Sequence, residues 1–164
     1  MLGQMTTPAD CYTCVHDAAG DQAPQWERIA ADELWRATHA FNSALPGWLV
    51  LVPRRHVTSI GELTDAEAAT LGSWQVRLSR ALMQVLGCQK TYVAQFAEAE
   101  GFSHVHFHVV ARPPDLAREL RGPKIFQLLN PADRPHVGAD QMNQIAVELA
   151  AHLDQPHLGH GLGR

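Results

Sequence analysis

The sequence lacks an excess of basic residues: 13 lysines and arginines stand against 17 aspartates and glutamates, a net charge of -4 with neutral histidines. This argues against a protein that coats nucleic acid, although backbone N–H groups and single arginines can still hold a phosphate. No stretch approaches the ~18 apolar residues of a membrane span. The N-terminal MLGQMTTPAD has no basic start followed by an apolar run, so no signal peptide is indicated and a cytoplasmic location is expected.

Cysteine is also scarce, with only Cys11, Cys14 and Cys88. An odd number of cysteines in a chain without a signal peptide argues against a disulfide framework and favours a metal site or plain burial. There are no internal repeats and no low-complexity segments. The 164 residues, 46% of them hydrophobic, therefore predict one domain with an ordinary core.

The apolar patterns predict an α+β fold with an antiparallel sheet, one long helix and smaller C-terminal helices. The long helix begins after Thr64, where Thr64 and Glu67 form a capping-box pattern, and ends before Gly87. Residues 90–98 and 104–111 are close enough to pair as antiparallel strands. Further strands are expected at 26–32, 33–40 and 48–53, further helices at 124–129 and 139–153, a zinc-ligand segment at 1–25 and a frayed tail at 154–164.

The stretch GFSHVHFHVV at 101–110 places His104, His106 and His108 at alternate positions. On a strand, such residues lie on one side with neighbours ~6.5–7 Å apart, while the apolar residues between them anchor the strand in the core. Three surface histidines are one interpretation. The others are a metal site that uses two or three imidazoles and nucleophilic attack on a phosphoryl group by the central His106.

The pair Cys11 and Cys14 has the spacing of half a zinc site. A redox pair or two ordinary thiols remain alternatives, although no strand precedes the pair as is usual for redox motifs. Zinc prefers four ligands, so two more must come from elsewhere in the chain. The histidine row and His56, which follows the predicted strand at 48–53, are the available candidates.

With these pieces assembled, the chain resembles the histidine triad (HIT) family. HVHFHVV at 104–110 matches the family pattern His-x-His-x-His-x-x with apolar residues at x. PGWLVLVPRRHV at 46–57 is similar to the family's strand of apolar residues followed by proline, a basic pair and histidine. The similarity covers roughly residues 11–113.

The resemblance implies a nucleotide hydrolase or nucleotidyltransferase that acts at the α-phosphate through a covalent nucleotidyl-histidine. The nucleophile would be His106, with His108 contacting the phosphate. The implied substrates are dinucleoside polyphosphates or nucleoside phosphoramidates, and the implied assembly is a homodimer with no membrane or nucleic-acid partner. In the zinc-containing branch of the family, the structural zinc ligands correspond to Cys11, Cys14, His56 and His104.

The chain departs from the family pattern around the expected nucleotide site. The segment before His104 is two residues shorter and lacks the usual glutamine, no acidic residue for ribose is evident near Asn42, and Trp48 replaces a histidine. Ser103, Asn42 and Arg112 are the candidate substrate contacts, and Trp48 is expected in the core. These departures keep open a zinc-stabilised nucleotide-binding protein with little turnover, and a redox metalloenzyme that holds iron or manganese on the histidine row.

Overall fold

The structure is a computed structural model that describes residues 9–154, and its centre is one antiparallel sheet in the order β1-β2-β3-β5-β4. The strands are β1 (Ala30–Ala31), β2 (Trp35–His39), β3 (Trp48–Pro53), β4 (Lys90–Gln95) and β5 (Phe107–Arg112). The predicted α+β fold is confirmed, as is the antiparallel pairing of β4 with β5. The tail expected to be frayed lies, from residue 155 onward, outside the described residues.

Within residues 9–154 the α-helices are α1 (Tyr12–Ala18), α2 (Asp65–Leu86) and α3 (Ala139–Leu153). At the start of α2, the Thr64 hydroxyl accepts from the Glu67 N–H and the Glu67 carboxylate accepts from the Thr64 N–H. Gly87 ends the helix in the left-handed conformation, with φ of 61°. The long helix therefore begins and ends where its capping residues predict.

One face of the sheet packs against α2 and α3. Alternate side chains of the strands point to this face, so its apolar set fixes the register of β3 against β5. Each fully buried side chain of this size contributes about 1.5–3 kcal/mol to folding. The buried residues of this layer include Leu49, Leu51, Phe107 and Val109 from the strands, and Trp74, Leu78, Leu82, Ile145 and Leu149 from the helices.

The opposite face of the sheet positions the histidines. Trp48 lies opposite Val110 in the β3–β5 pair, and both are buried in a second apolar cluster under the 116–129 segment. Two residues along, Val50 lies opposite His108, and these two residues line a cavity. His108 therefore lies at the boundary between the second apolar cluster and this cavity.

The observed elements differ from the sequence prediction at several places. Strand β5 begins at Phe107, so His104 and His106 precede it rather than continuing a regular row. The segment predicted as a strand at 26–32 is a 3₁₀ turn followed by the two-residue β1, and the helix expected near 124–129 is the 3₁₀ segment Gly122–Leu128. None of the helices between residues 9 and 154 combines the length and apolar character that a membrane span requires.

Candidate active site and metal centre

Four metal-ligating side chains from three separate segments meet beside the sheet. Cys11 directly precedes α1 and Cys14 lies one turn further on, while His56 follows β3 and His104 precedes β5. The Cys11 Sγ atom lies 3.4 Å from His104 Nδ1, and the Cys14 Sγ atom lies 3.4 Å from His56 Nδ1 and 3.5 Å from His104 Nδ1. All four ligand atoms lie within 4.8 Å of one another.

These separations fit a tetrahedral zinc ion. Zn–S and Zn–N bonds of about 2.3 and 2.0 Å give sulfur-to-nitrogen edges of roughly 3.6 Å in a tetrahedron. The Nε2 atom of His104 lies 2.9 Å from the carbonyl oxygen of Pro53, which can only accept, so the proton is on Nε2 and Nδ1 is left for the metal. Two thiolates and two imidazoles complete the coordination, so the cluster fits a closed structural site.

Burial sets the protonation of this cluster before metal binds. It lowers the pKa of His104 to about 4, so the imidazole is neutral near pH 7. Burial, reinforced by the neighbouring Cys11, raises the pKa of Cys14 to about 11. The thiol must therefore lose a proton when zinc binds, and the bound cation supplies the charge that stabilises the thiolate.

A buried polar network holds α1, and with it the cysteines, against the sheet. Arg36 on β2 donates to the carbonyl oxygen of Thr13 at 3.3 Å, and its Nε lies 3.4 Å from the carboxylate of Asp17. The buried carboxylate of Glu27 pairs with His16 Nδ1 at 2.6 Å and with Arg36 at 3.9 Å. Charge and hydrogen bonds therefore fix the N-terminal segment independently of the metal.

His106 and His108 lie side by side, with ring centroids 4.9 Å apart and ring planes at 85°. The Nδ1 atom of His106 lies 2.8 Å from the carbonyl oxygen of His104, so the proton is on Nδ1 and the lone pair is on Nε2. Burial lowers the pKa of His106, and burial together with the His106 ring lowers the pKa of His108 to about 3. Both rings are neutral near pH 7. The Nε2 atom of His106 therefore has a free lone pair and can act as a nucleophile.

One hydrogen bond joins the second apolar cluster to this histidine pair. The indole Nε1–H of the fully buried Trp48 donates to His108 Nδ1 at 3.0 Å. The Phe126 ring packs edge-on against both side chains, with centroid distances of 5.2 Å to Trp48 and 5.1 Å to His108. The His108 ring is therefore held in position on two sides.

A cavity of about 500 Å³ lies over His106 and His108. Its floor includes a row of paired residues from three strands, Thr38, Val50 and His108. Aromatic rings form much of the wall: Tyr12 with Phe41 and Phe102 on one part, and Phe96 with Phe126 on another. The volume suits a small-molecule ligand, and the rings offer stacking surfaces for a flat apolar group close to the imidazoles.

The three predicted substrate contacts, Asn42, Ser103 and Arg112, differ in their position relative to the cavity. Asn42 lines the cavity. Ser103 stands between Phe102, which lines it, and His104, but is not itself part of the lining. Arg112 is also outside the lining: it lies four residues beyond His108, roughly 13 Å along the strand, where it donates to Gln89 Oε1 at 2.6 Å.

Several residues of the cavity were not found from the sequence. Phe126 comes from a 3₁₀ segment far along the chain, and no local pattern signals its position beside His108. Glu27 and Arg36 are buried polar residues that line the same cavity. The alternation of Arg36 and Thr38 with apolar residues on a predicted strand is the signal that could have indicated Arg36, whereas Glu27 lies in a 3₁₀ turn and has no such signal.

A model of the HIT domain matches residues 24–115, more than half of the chain. The chain belongs to the HIT domain family. The resemblance drawn from the histidine triad is thereby confirmed. Among curated protein sequences, no significant match to this chain was found.

Solved structures of HIT proteins share the fold. A histidine triad protein from Bradyrhizobium japonicum is 24% identical, with a TM-score of 0.63 over 77% of this chain and 89% of that one. A zinc-bound histidine triad family protein from Mycobacterium smegmatis is 18% identical, with a TM-score of 0.62 over 90% of this chain and 95% of that one. The diadenosine triphosphate hydrolase of Plasmodium falciparum, in complex with cyclomarin A, is 13% identical, with a TM-score of 0.59 over 77% and 76%.

Proposed function

We propose that this HIT protein is a nucleotide hydrolase or nucleotidyltransferase that works through a covalent nucleotidyl-histidine on His106. The observation that carries the proposal is the hydrogen bond from His106 Nδ1 to the carbonyl oxygen of His104, which leaves the Nε2 lone pair on a ring that lines the cavity. Family membership and the hydrolase among the structural neighbours support the same chemistry.

The proposed reaction has two displacements at phosphorus. The Nε2 atom of His106 attacks the α-phosphorus, an N–P bond forms, and the bond to the leaving group breaks with its electron pair, so that a leaving amine takes up a proton from solvent in the cavity. Water or another acceptor then attacks the same phosphorus and releases a proton to solvent, and the electron pair of the N–P bond returns to Nε2. The first step puts positive charge on the ring, and the His104 carbonyl oxygen, which keeps its hydrogen bond to Nδ1, stabilises that charge.

A metal ion at this centre would hold the nucleophile in place and would take no part in either displacement. Zinc on Cys11, Cys14, His56 and His104 would fix the backbone of His104, whose carbonyl oxygen orients His106. The four ligands leave no open position for a substrate. Zinc would therefore supply rigidity, and the imidazoles of His106 and His108 would supply the chemistry.

The charges of the cavity favour nucleoside phosphoramidates over dinucleoside polyphosphates. Three carboxylates, Glu27, Glu98 and Glu100, are part of the lining. The lining also contains the guanidinium of Arg36, which is already paired with Asp17 and Glu27. A polyphosphate chain would bring several negative charges without new cations to balance them, whereas a phosphoramidate carries a single charge at the phosphate.

We also propose that two copies of the chain associate along β4. This strand is one of the two outer strands of the sheet, and such an edge presents unpaired backbone groups to a partner strand. Ser79 of α2 hydrogen-bonds to Thr91 of β4, and the exposed Val76 and Met83 lie on the same stripe of the helix as Ser79. Light scattering should give twice the chain mass, and Met83→Asp should shift the protein towards a monomer; a monomeric wild type contradicts the proposal.

The enzymatic proposal is tested by steady-state kinetics of His106→Ala on a panel of nucleoside phosphoramidates and dinucleoside polyphosphates. We expect turnover to fall by at least ~10⁴-fold, as is typical when a nucleophile is removed. His136→Ala, which removes an exposed histidine outside the cavity lining, is the matched control and should keep the wild-type rate. Undiminished turnover by His106→Ala contradicts the mechanism, and nucleotide binding without turnover by the wild type indicates a binding protein instead.

A further inference from the structure

The hydrogen bond between Trp48 and His108 constrains the proton of the imidazole. Both residues are buried, and the indole Nε1 lies 3.0 Å from His108 Nδ1. An indole nitrogen can only donate a hydrogen bond. Nδ1 of His108 must therefore carry its lone pair, and the proton of the neutral ring is on Nε2.

His108 therefore has the opposite tautomer to its neighbour His106. In His106 a carbonyl oxygen, which can only accept, holds the proton on Nδ1 and exposes the lone pair of Nε2. In His108 an indole, which can only donate, holds the proton on Nε2. The two rings contact each other at right angles, so the cavity holds one imidazole whose Nε2 has a lone pair and one whose Nε2 bears a proton.

We propose that Trp48 is a positioning residue that holds His108 as a permanent Nε2–H hydrogen-bond donor to the phosphoryl group in the cavity. The inference rests on the proposed function for the identity of the group that receives the bond. A proton on Nδ1 would face the indole N–H and break the bond, and indole cannot take a proton from the ring. His108 therefore stabilises negative charge on a phosphoryl oxygen and does not relay protons into the core.

The surroundings of the pair favour this interpretation over simple core packing. The Trp48 indole has its ring packed edge-on against Phe126 as a purely apolar residue would, yet its one polar atom is aimed at the one acceptor nitrogen of His108. Phe126 also contacts His108, which hinders the ring flip that would exchange its two nitrogens. Packing alone would be satisfied by phenylalanine at position 48, whereas selection of a tautomer needs the indole N–H.

Nitrogen-15 NMR of the wild-type protein tests the tautomer directly. Long-range proton–nitrogen correlation should show a single tautomer of His108 with the proton on Nε2. A nitrogen–nitrogen coupling across the hydrogen bond should join Trp48 Nε1 to His108 Nδ1. A proton on Nδ1 of His108, or an exchanging mixture of tautomers in the wild type, overturns the proposal. The measurement uses the wild-type protein, so it does not depend on whether a variant folds.

The variant Trp48→Phe then tests the consequence for catalysis. We expect loss of the single tautomer and a fall in kcat of about 10-fold with little change in KM, the size that one neutral hydrogen bond in a transition state supports. Trp74→Phe is the matched control: Trp74 belongs to the core layer between the sheet and the helices, and its indole donates to Asp32, so the variant should lower stability while leaving the His108 tautomer and kcat unchanged. A Trp48→Phe protein that keeps the Nε2–H tautomer and the wild-type kcat contradicts the role of Trp48.

The two proposals fail separately. The tautomer of His108 is measured in the free protein, so the inference about Trp48 is tested without any substrate. If the wild type shows the predicted tautomer but turns over no nucleotide, the proposed function fails and the positioning by Trp48 remains. If an adduct forms on His106 while His108 is a mixture of tautomers, the proposed function remains and the inference about Trp48 is wrong.

Discussion

At the scale of single residues, hydrogen bonds decide which nitrogen of each buried imidazole is protonated. The carbonyl oxygens of Pro53 and His104 place the proton on Nε2 of His104 and on Nδ1 of His106, respectively. The indole of Trp48 places it on Nε2 of His108. Three histidines of one short stretch thus become a metal ligand, a nucleophile and a hydrogen-bond donor, because each ring has a different partner.

A fourth buried histidine, His39, makes stability depend on pH. Its Nε2 accepts from the Gly47 N–H at 3.0 Å, its Nδ1 donates to the Ala40 carbonyl oxygen, and burial lowers its pKa to about 4. Because the unfolded state takes up a proton near pH 6.5 and the folded state only near pH 4, His39 destabilises the fold as pH falls through this window. The loss is on the order of 3 kcal/mol in the free energy of unfolding.

We predict that His39→Gln, which keeps an acceptor for Gly47, loses less stability on acidification than the wild type. Chemical denaturation at pH 7 and pH 4 measures this, and the difference between the two proteins isolates His39 because the other histidines titrate in both. Equal losses in the two proteins would show that His39 does not contribute to the acid sensitivity.

The sequence identified the residues of the site, but it did not identify the groups to which their imidazoles hydrogen-bond. The metal set Cys11, Cys14, His56 and His104 and the pair His106 and His108 follow from a family pattern with fixed spacing. The donors and acceptors that set the tautomers, such as Trp48 for His108, come from backbone groups or from residues 60 positions away. No local pattern contains that information, because it arises only when the strands pair.

At the scale of elements, local signals predicted the ends of α2 and tertiary contacts decided the start of β5. The pairing of β3 with β5 ends at Leu51 opposite Phe107, and Pro53 at the end of β3 has no N–H to donate to a longer ladder. The Val105 N–H instead donates to the carbonyl oxygen of Val57 at 2.8 Å. His104 and His106 therefore lie before the strand, although their alternation with apolar residues reads as part of it.

The turn at Gly47, between β2 and β3, tests how closely α2 packs on the sheet. Gly47 has φ of +78°, and a Cβ there would lie within 2.3 Å of Leu86 Cδ1 and 3.0 Å of the Ala111 side chain. We predict that Gly47→Ala lowers the free energy of unfolding by more than about 2 kcal/mol, through backbone strain and overpacking together.

The matched control is Gly87→Ala at the end of α2. Gly87 has a similar φ of +61°, but a Cβ there meets nothing within 4 Å. Only the backbone term of about 1 kcal/mol is expected. Thermal and chemical denaturation of both variants measure the difference, and a Gly87→Ala protein as unstable as Gly47→Ala would show that close packing at Gly47 contributes nothing.

At the scale of the whole molecule, the metal centre joins parts of the chain that are far apart in sequence. Cys11 and His104 are separated by 93 positions, yet their ligand atoms lie 3.4 Å apart. A zinc ion on these ligands would close a long loop around the sheet and would add to the polar contacts that already hold the segment carrying Tyr12, part of the cavity wall. Metal binding, folding and the shape of the cavity are coupled.

We predict about one zinc per chain and a large loss of thermal stability on chelation. Cys14→Ser should lose the metal and several kcal/mol of stability, roughly the scale of structural zinc sites after the thiol proton is displaced. Cys88→Ser is the control of the same type, since Cys88 is outside the cluster, and it should keep its zinc. Elemental analysis and calorimetry provide the readouts; iron or manganese in place of zinc would contradict the structural role.

The central claim is that His106 forms a covalent bond to phosphorus, and rapid-quench mass spectrometry during turnover tests it most directly. The protein is mixed with a nucleoside phosphoramidate, quenched in base to preserve the phosphorus–nitrogen bond, digested and mapped. The account predicts one added nucleoside monophosphoryl group on the peptide spanning 101–112, localised to His106 and absent from His106→Ala. Turnover without any adduct, or an adduct on a different residue, would contradict it.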